Sequence, residues 1–262
     1  MPFRHFLLIA IFSAGFFTAQ LHAADFGSIR ICGDHDPLSM TADPKSPAGD
    51  KQLIGFSFEL IRTVFQTLGK KVTFIDGLPW KRCLSEVENG SIDFAMDAYY
   101  DLDREKIFAY STHYNTLTPQ IFFRKGHPVN FSSRTALKKF RGCGVLGTSY
   151  THYGIRPSEL DLGATREALF DKLFAGRCEY FLEELEDIVS FRQTGTDYLA
   201  NPALQHETVN WAVPPSKFLI TLKNGKYAAM MDQINEAIYG VIRSGQAEKI
   251  WKKSALGLPY KP

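Results

Sequence analysis

Residues 55–111 alternate between helical and strand patterns, and this order constrains the fold more than any other feature of the chain. A helical pattern of apolar residues ends at Gly69, and a β-rich run follows at 72–75. A second helix is predicted to begin at Trp80 and to precede a second strand at 92–96. Strands that alternate with helices form parallel sheets, and ligands bind beyond the carboxyl ends of such strands. The stretch therefore predicts an α/β protein with a ligand cleft.

A second copy of the helix, glycine and strand order lies further along the chain. Residues 172–184 repeat the plan of residues 86–97: a helix end, a glycine, an acid three positions later, a β-rich run and a second acid. Two copies of one plan predict two lobes of similar architecture. We expect lobe 1 to be discontinuous, with residues 24–118 and 220–262, and lobe 2 to consist of residues 119–219.

The predicted second lobe has elements of its own, and apolar runs flank it. Strands are expected at 143–146 and 178–182, with a helix at 165–175 between them. The apolar runs at 118–126 and 217–225 are interpreted as two segments that cross between the lobes. Two helices, at about 227–242 and 246–253, are expected to close the chain.

The amino terminus has the pattern of a secretory signal peptide. A basic start at Arg4 precedes an apolar run at 6–17, and the small residues Ala23 and Ala24 follow. The run is too short for a helix that spans a bilayer. We therefore expect residues 1–23 to be cleaved and the mature chain to be periplasmic. An uncleaved amino-terminal anchor is the alternative.

Composition narrows the classes of function. The 30 basic and 28 acidic residues give a formal net charge of +2, which argues against an electrostatically driven nucleic-acid binder. A hydrophobic content of 45% is ample for packed cores. The histidines show no metal-ligand spacing and no nucleophile elbow occurs, so neither a metal nor a cofactor is expected.

Seven residues of the first lobe stand at a spacing that a known protein family shares. They are Gly55, Phe56, Trp80, Gly90, Asp93, Arg104 and Ser111. In this order the chain resembles the family 3 extracellular solute-binding proteins, the amino-acid receptors of ABC importers. The resemblance implies a type II periplasmic binding protein fold, in which two segments cross between two α/β lobes and permit hinge closure. It also implies a periplasmic monomer that passes a small polar solute to membrane subunits or to a sensor.

The resemblance further implies residues that bind the solute. Arg104 aligns with the arginine that binds the α-carboxylate of an amino acid, and the planar guanidinium suits that role. Glu184 stands where these receptors place an aspartate for the α-ammonium group. The alternatives are a surface ion pair of Arg104 with Asp101 or Asp103, and a first-turn helix role for Glu184.

Five further residues belong to the site that the resemblance implies. Thr148 and Ser149 match the segment whose hydroxyl and amide groups meet the carboxylate at a helix start. Trp80 matches a residue that lines the pocket, and Tyr99 and Tyr100 follow the predicted strand end, where aromatic rings stack on ligands. Helix capping and packing at the lobe edge are equally compatible with these positions.

The segment after the first strand departs from the family pattern. Amino-acid receptors usually carry an aromatic residue there, whereas this chain has Asp34, His35 and Asp36. We expect Asp34 to face the ligand. The two acids favour a ligand that is more polar or more cationic than the resemblance alone implies.

Four cysteines suggest two disulfides in an oxidising compartment, and three connectivities are open. Pairing within each lobe, Cys32 with Cys83 and Cys143 with Cys178, is geometrically simplest. The family strand order implies neighbouring strands for the second pair, with Cα atoms about 5.5 Å apart, as a disulfide requires. Buried free thiols are the alternative.

Two function classes remain open on the sequence. The first is a periplasmic binding protein that delivers an amino acid or a related compound to an ABC importer, or a sensing module with such a ligand. The second is an enzyme on the same scaffold, because cyclohexadienyl dehydratases resemble these receptors. Glu184 is then the candidate general acid.

Overall fold

The computed structural model describes residues 27–47, 49–254 and 257–262. The expected signal peptide at 1–23 lies outside these ranges. Among the helices of the described residues, none combines the length and the apolar character that a membrane span requires.

The described chain forms strands β1 to β12 and helices α1 to α7, numbered in chain order. The strands are β1 Ile29–Cys32, β2 Thr41–Ala42, β3 Leu53–Ile54, β4 Val72–Ile75, β5 Phe94–Tyr99, β6 Phe108–Thr116, β7 Pro119–Arg124, β8 Gly142–Val145, β9 Leu160–Gly163, β10 Tyr180–Glu184, β11 Leu204–Thr208 and β12 Ser216–Leu222. The helices are α1 Phe56–Thr67, α2 Trp80–Glu88, α3 Arg134–Leu137, α4 Arg166–Phe174, α5 Leu185–Ser190, α6 Met231–Arg243 and α7 Gln246–Ser254.

Lobe 1 is built on a five-stranded sheet in the order β4-β1-β5-β12-β6. Strand β1 pairs in parallel with β4 and β5, whereas β12 runs antiparallel to β5 and β6. Helix α1 buries the apolar face that its helical period predicts. The closing helices α6 and α7 contact α1 in the same core, where the ring of Trp251 meets that of Phe56 edge-on at 4.9 Å.

Lobe 2 is built on a second five-stranded sheet in the order β11-β7-β10-β8-β9. Strand β8 pairs in parallel with β9 and β10, and β7 runs antiparallel to β10 and β11. Helix α4 begins after Thr165, whose hydroxyl caps the N–H of Ala168, and its apolar residues pack in the core of this lobe. The two-lobed α/β architecture expected from the sequence is confirmed.

The chain crosses between the lobes in shorter segments than the sequence suggested. The two apolar runs interpreted as crossings are sheet strands instead, because β7 lies inside the second sheet and β12 inside the first. Both strands are mostly buried, as apolar runs favour. The lobe boundary expected at residue 219 therefore falls within β12. The two sheets are joined by residues 117–118 and 209–215, and in the second segment Val209, Trp211 and Ala212 still pack in the core of lobe 2. Close to this junction the N–H of Leu117 donates to the carbonyl of Pro215 at 2.9 Å.

Two strands begin two residues later than the sequence predicts. Those expected at 92–96 and 178–182 are β5 and β10, and in each case an acid precedes the strand. The carboxylate of Asp93 accepts the N–H of Arg30 at 2.8 Å, and that of Glu179 accepts the N–H of Arg141 at 2.9 Å. The repeated acid thus fixes the backbone at the start of the neighbouring parallel strand before its own strand begins.

Both expected disulfides are present, one in each lobe. Cys32 at the end of β1 is bonded to Cys83 of α2, and Cys143 of β8 is bonded to Cys178 before β10. The Cα atoms of each pair lie 5.8 Å apart. Because the pairs are 51 and 35 positions apart in sequence, each bond closes a long loop within its lobe.

Candidate functional site

A narrow cavity of about 10 Å³ lies between the lobes, beyond β1 and at the end of β5. It has room for about one water molecule and is too small for an amino acid. A solute therefore reaches it only when the lobes separate. Five of the predicted site residues line the cavity: Asp34, Trp80, Tyr99, Arg104 and Thr148. Three further lining residues were not predicted: Asp97, Arg166 and Lys217.

Arg166 joins the two lobes through four carboxylates. It stands in the first turn of α4 in lobe 2 and is almost fully buried. Its guanidinium donates to Asp34 at 2.6 Å and to Asp36 at 3.1 Å, both in the loop after β1 of lobe 1. Within lobe 2 it donates to Glu183 at 2.8 Å and to Asp187 at 3.4 Å. These bonds compensate the desolvation of a buried charge, which is otherwise very unfavourable.

Lys217 forms a second buried ion pair across the cleft. Its Nζ, on β12 of lobe 1, donates to Asp187 of α5 at 2.7 Å and lies 3.8 Å from Asp97. Burial alone would lower the pKa of Lys217, but Asp187 and Asp97 raise it above its ordinary value. Burial alone would likewise raise the pKa of Asp187, but Lys217 and Arg166 hold it below its ordinary value. The pair is therefore charged at neutral pH.

Asp97 holds a strained position at the edge of the cavity. Its φ of 72° makes it the only residue other than glycine with a positive φ in the part of the chain that the structure describes. Its carboxylate accepts hydrogen bonds from the hydroxyls of Ser39, Ser57 at 2.5 Å and Tyr114 at 3.1 Å. Backbone strain of this kind concentrates at functional sites, where the surroundings hold it in place.

Two carboxyl groups of the cleft have pKa values that are raised to near neutral pH. Burial raises the pKa of Asp36 to about 7 and that of Glu183 to about 8, and the attraction of Arg166 only partly offsets this. Acids outnumber bases around them. The acids are Asp34, Asp36, Asp97, Glu183, Glu184 and Asp187, and the bases are Arg104, Arg166 and Lys217. An excess of buried carboxylates favours protonation of some of them.

Glu184 is held by polar groups from both lobes and does not line the cavity. Its carboxylate accepts the hydroxyl of Tyr99 from lobe 1 and that of Tyr153 at 3.2 Å, and it lies 2.9 Å from Nε2 of His152. The residue is only 2% exposed. Sequence reasoning chose Glu184 through the family resemblance but assigned no role to His152 or Tyr153.

Arg104 carries the positive charge on the mouth side of the cavity. Its guanidinium donates to the carbonyl of Gly147 in lobe 2 and to that of Tyr99 at 3.4 Å, and lies 6.0 Å from the ring of Trp80. Burial lowers the pKa of Arg104. Within the described ranges, no carboxylate forms an ion pair with this guanidinium. Arg104 can therefore bind an anionic group of a solute without first breaking an ion pair with a carboxylate of the protein.

Two predicted site residues lie at the mouth of the cleft instead of in the cavity. Ser149 donates to Asp101 of lobe 1 at 2.7 Å, and Tyr100 is 44% exposed and donates to Glu105 at 2.5 Å. Strand β5 extends to Tyr99, three residues beyond the predicted end at residue 96. Successive side chains along a strand point to opposite faces, so Tyr99 faces inward and Tyr100 outward. The binding roles of Ser149 and Tyr100 stay predictions.

The expected clamp of Arg104 and Glu184 has Tyr99 between its two members. The Tyr99 carbonyl accepts from Arg104, whereas the Tyr99 hydroxyl donates to Glu184. The two charged groups are thus linked through one residue of lobe 1, and their joint action on a zwitterion stays a prediction.

Three buried carboxylates lie close enough together to be considered as metal ligands. One oxygen each of Glu183, Glu184 and Asp187 lies within 4.8 Å of the others. Each carboxylate already has a partner: Arg166 for Glu183, Tyr99 for Glu184 and Lys217 for Asp187. The cluster is therefore explained by ion pairs and hydrogen bonds without a metal.

The three cavity residues that sequence reasoning missed resemble ordinary residues of their elements. Arg166 stands in the first turn of a helix, where exposure is the default, and Asp97 is an acid at the end of a β-rich run. Lys217 offered a usable signal, because a lysine inside a largely buried apolar strand is rarely tolerated without a charged partner.

The fold and the cleft define an extracellular solute-binding protein. The chain belongs to the bacterial extracellular solute-binding proteins, family 3, whose profile matches residues 29–255. This family places the protein in the periplasm or outside the cell, and it confirms the resemblance seen in the sequence. None of the curated proteins matches the chain in sequence.

Solved structures share the fold at low sequence identity. The arginine-, lysine-, histidine-binding protein ArtJ from Geobacillus stearothermophilus is 18% identical, with 89% of this chain and 97% of that chain covered and a TM-score of 0.70. A histidine kinase sensor domain with similarity to periplasmic binding proteins is 19% identical, with coverage of 90% and 98% and a TM-score of 0.71. A ligand-binding core from Nostoc punctiforme in complex with L-glutamate is 16% identical, with coverage of 86% and 98% and a TM-score of 0.68. These likenesses establish the type II periplasmic binding protein fold.

Proposed function

We propose that the chain is a periplasmic receptor for a small solute with a carboxylate group, an amino acid or a closely related compound. The observation that carries the proposal is Arg104, whose guanidinium lines the cleft cavity and has no carboxylate partner among the described residues. A guanidinium binds a carboxylate through two parallel hydrogen bonds. The neighbouring Thr148 also lines the cavity and adds a hydroxyl group.

The charges around the cavity favour a solute with both signs of charge. Asp34 and Asp97 line the cavity together with Arg104, so an ammonium group and a carboxylate each meet an opposite charge. The excess of acids in the surrounding cluster favours a further positive charge on the solute. Relatives of this fold bind arginine, lysine and histidine in one case and were solved with L-glutamate in another. The fold therefore accommodates amino acids of either charge.

The binding assay starts from the mature chain and a panel of amino acids. Thermal shift identifies the ligand, and titration calorimetry then measures its affinity. We expect Arg104→Ala to weaken binding by about 1.5–3 kcal/mol, the scale of a charge-assisted hydrogen-bond pair. The matched control is Arg243→Ala, since Arg243 lies on α6 with a side chain that is 70% exposed. Unchanged affinity of the Arg104 variant, or a ligand without a carboxylate, would contradict the proposal.

The membrane subunits of an ABC importer are the partners that the family favours. A sensor is the second candidate, because a histidine kinase sensor domain shares the fold. Uptake of the identified solute by cells that lack the gene separates the two. Lost uptake supports an importer, whereas normal uptake with a lost response supports a sensor.

The mass of the exported protein tests whether the mature chain begins at Ala24.

We also propose binding without turnover. The dehydratase alternative assigns the acid to Glu184, which does not line the cavity. The two acids that do line it are already bonded, Asp34 to Arg166 and Asp97 to three hydroxyl groups. Incubation with prephenate or arogenate is expected to return the compound unchanged. Product formation that disappears in Glu184→Gln would show instead that the cleft is catalytic.

A further inference from the structure

Gly147 makes a close backbone approach to the opposite lobe at the mouth of the cleft. It follows β8 in lobe 2 and faces Lys81, the second residue of α2 in lobe 1. A Cβ atom on Gly147 would lie 3.0 Å from the Cα of Lys81 and 3.1 Å from its N and Cβ atoms. Because two of these atoms belong to the helix backbone, they cannot move aside as the end of a flexible side chain does.

Two hydrogen bonds flank this approach. The carbonyl of Gly147 accepts from the guanidinium of Arg104, and the hydroxyl of Ser149 donates to Asp101 at 2.7 Å. Both bonds join lobe 2 to lobe 1. We call the five residues Lys81, Asp101, Arg104, Gly147 and Ser149 the mouth seam. Thr148, between the two lobe 2 members of the seam, lines the inner cavity, as does Arg104.

We propose that Gly147 is a positioning residue for solute binding: its lack of a side chain lets lobe 2 seat on α2, and this contact places the Arg104 guanidinium between the cavity and the Gly147 carbonyl. The contacts of the mouth seam carry the structural part of this inference. Its effect on solute binding rests on the proposed function. A solute carboxylate on Arg104 is then enclosed only when the seam is closed. Gly147 acts through Arg104 and does not itself touch the solute.

The chain supplies a matched control for the backbone conformation. Gly147 has a φ of 93°, so an alanine there is strained whatever the surroundings. Gly195, also in lobe 2, has a φ of 91° but would place a Cβ in open space, with nothing within 4 Å. Gly147→Ala and Gly195→Ala therefore share the backbone strain, and only Gly147→Ala adds an overly tight contact with the opposite lobe, which α2 can relieve only by moving a few tenths of an ångström.

The test compares these two variants with the parent chain without any added ligand. Small-angle X-ray scattering reports the separation of the lobes, and hydrogen exchange reports the protection of the segments at 78–84 and 146–150. We expect similar melting temperatures for the two variants, but a larger radius of gyration and faster exchange in both segments for Gly147→Ala alone. Equal scattering and equal exchange in the two variants would overturn the proposal.

A second measurement separates this inference from the proposed function. Ser149→Ala removes one bond of the mouth seam without adding a Cβ at the close approach, and we expect a smaller rise in exchange at 146–150 than in Gly147→Ala. An effect as large as that of Gly147→Ala would show that the hydrogen bond of Ser149 holds the mouth seam closed, and not the missing side chain of Gly147. Because no solute is present, a chain that binds no amino acid would refute the proposed function and leave this test intact.

Discussion

Lys217 of β12 donates a hydrogen bond to Asp187 of α5 at 2.7 Å, and the two side chains come from different lobes. Both are almost completely buried, and Arg166 adds a second cation beside Asp187 at 3.4 Å. A buried ion pair stabilises little in itself, but removal of one partner leaves a buried charge without compensation. The charged groups of the cleft therefore depend on one another.

Replacement of Lys217 by methionine tests this dependence. We expect Lys217→Met to lower the free energy of unfolding, because Asp187 loses its partner; such a loss costs about 3–5 kcal/mol in a closed interior. The value expected here is near the lower end of that range, because the lobes can open and let water reach Asp187. Urea unfolding followed by circular dichroism measures the change. In the control, Lys226→Met removes a lysine that is 57% exposed and pairs with Asp93 at 3.1 Å. Its expected loss is below about 1 kcal/mol, and equal losses in the two variants would contradict the argument.

The two-lobed architecture of the chain was predictable because short segments of the sequence indicate it. The acid after Gly90 and the acid after Gly176 serve the same purpose, since each fixes the backbone of the neighbouring parallel strand. Such a unit spans about a dozen residues, and its repetition reveals two lobes without any knowledge of their contacts. The disulfides follow from the same plan, because each pair joins elements of one lobe.

The charged cluster was not predictable, because its members meet only after the lobes come together. Arg166 bonds Asp34 across 132 positions of sequence, and no local pattern records that contact. Asp34 and Trp80 follow the ends of β1 and β4, where ligands bind in such folds, and both were chosen through the family resemblance. Their charged neighbours, Arg166 on α4 and Lys217 on β12, could be identified only from the three-dimensional structure.

The raised pKa values predict a pH dependence of stability. Burial raises the pKa of Asp36 to about 7 and that of Glu183 to about 8, from ordinary values of 3.8 and 4.5. A carboxyl group with a higher pKa in the folded chain binds its proton more tightly there. Its stabilising contribution is complete below the ordinary pKa and is lost as pH rises through the folded one. We therefore expect the free energy of unfolding to fall as pH rises from about 4 to about 8.

Urea midpoints across this pH range measure the slope in the parent chain and in Glu183→Gln. The amide imitates the protonated carboxyl group and does not titrate, so the variant is expected to show a flatter profile. The groups that face Glu183 are Arg166, Tyr150, Glu184, Asp187 and Asp34. Glu236→Gln is the control, because Glu236 lies on α6 with a side chain that is 76% exposed. A parental slope in Glu183→Gln would exclude this carboxyl group as a source of the pH dependence.

The disulfide of lobe 2 predicts a loss of stability on its removal. Replacement of both Cys143 and Cys178 by serine frees a loop of 35 positions in the unfolded chain. We expect the free energy of unfolding to fall by about 2–4 kcal/mol. Peptide mapping of exported protein under non-reducing conditions establishes the pairing first. A peptide that joins Cys143 to Cys32 or to Cys83 would contradict the placement of one disulfide in each lobe.

The left-handed backbone of Asp97 predicts an order of stability among three variants. Asp97→Ala leaves the hydroxyls of Ser39, Ser57 and Tyr114 without their acceptor and places alanine at a φ of 72°. We expect it to lose about 2–4 kcal/mol. Asp97→Gly loses the same acceptor but tolerates the backbone, so it is expected to be about 1 kcal/mol more stable than the alanine variant.

Asp97→Asn keeps one acceptor oxygen and a residue type that visits the left-handed region, and it is expected to be the most stable of the three. Urea unfolding of the set separates the two contributions. The difference between the glycine and alanine variants measures the backbone strain, and the difference between the asparagine and glycine variants measures the lost acceptor. Equal stability of the glycine and alanine variants would show that the backbone at Asp97 is not strained. The role of Asp97 would then be limited to accepting hydrogen bonds from the three hydroxyl groups.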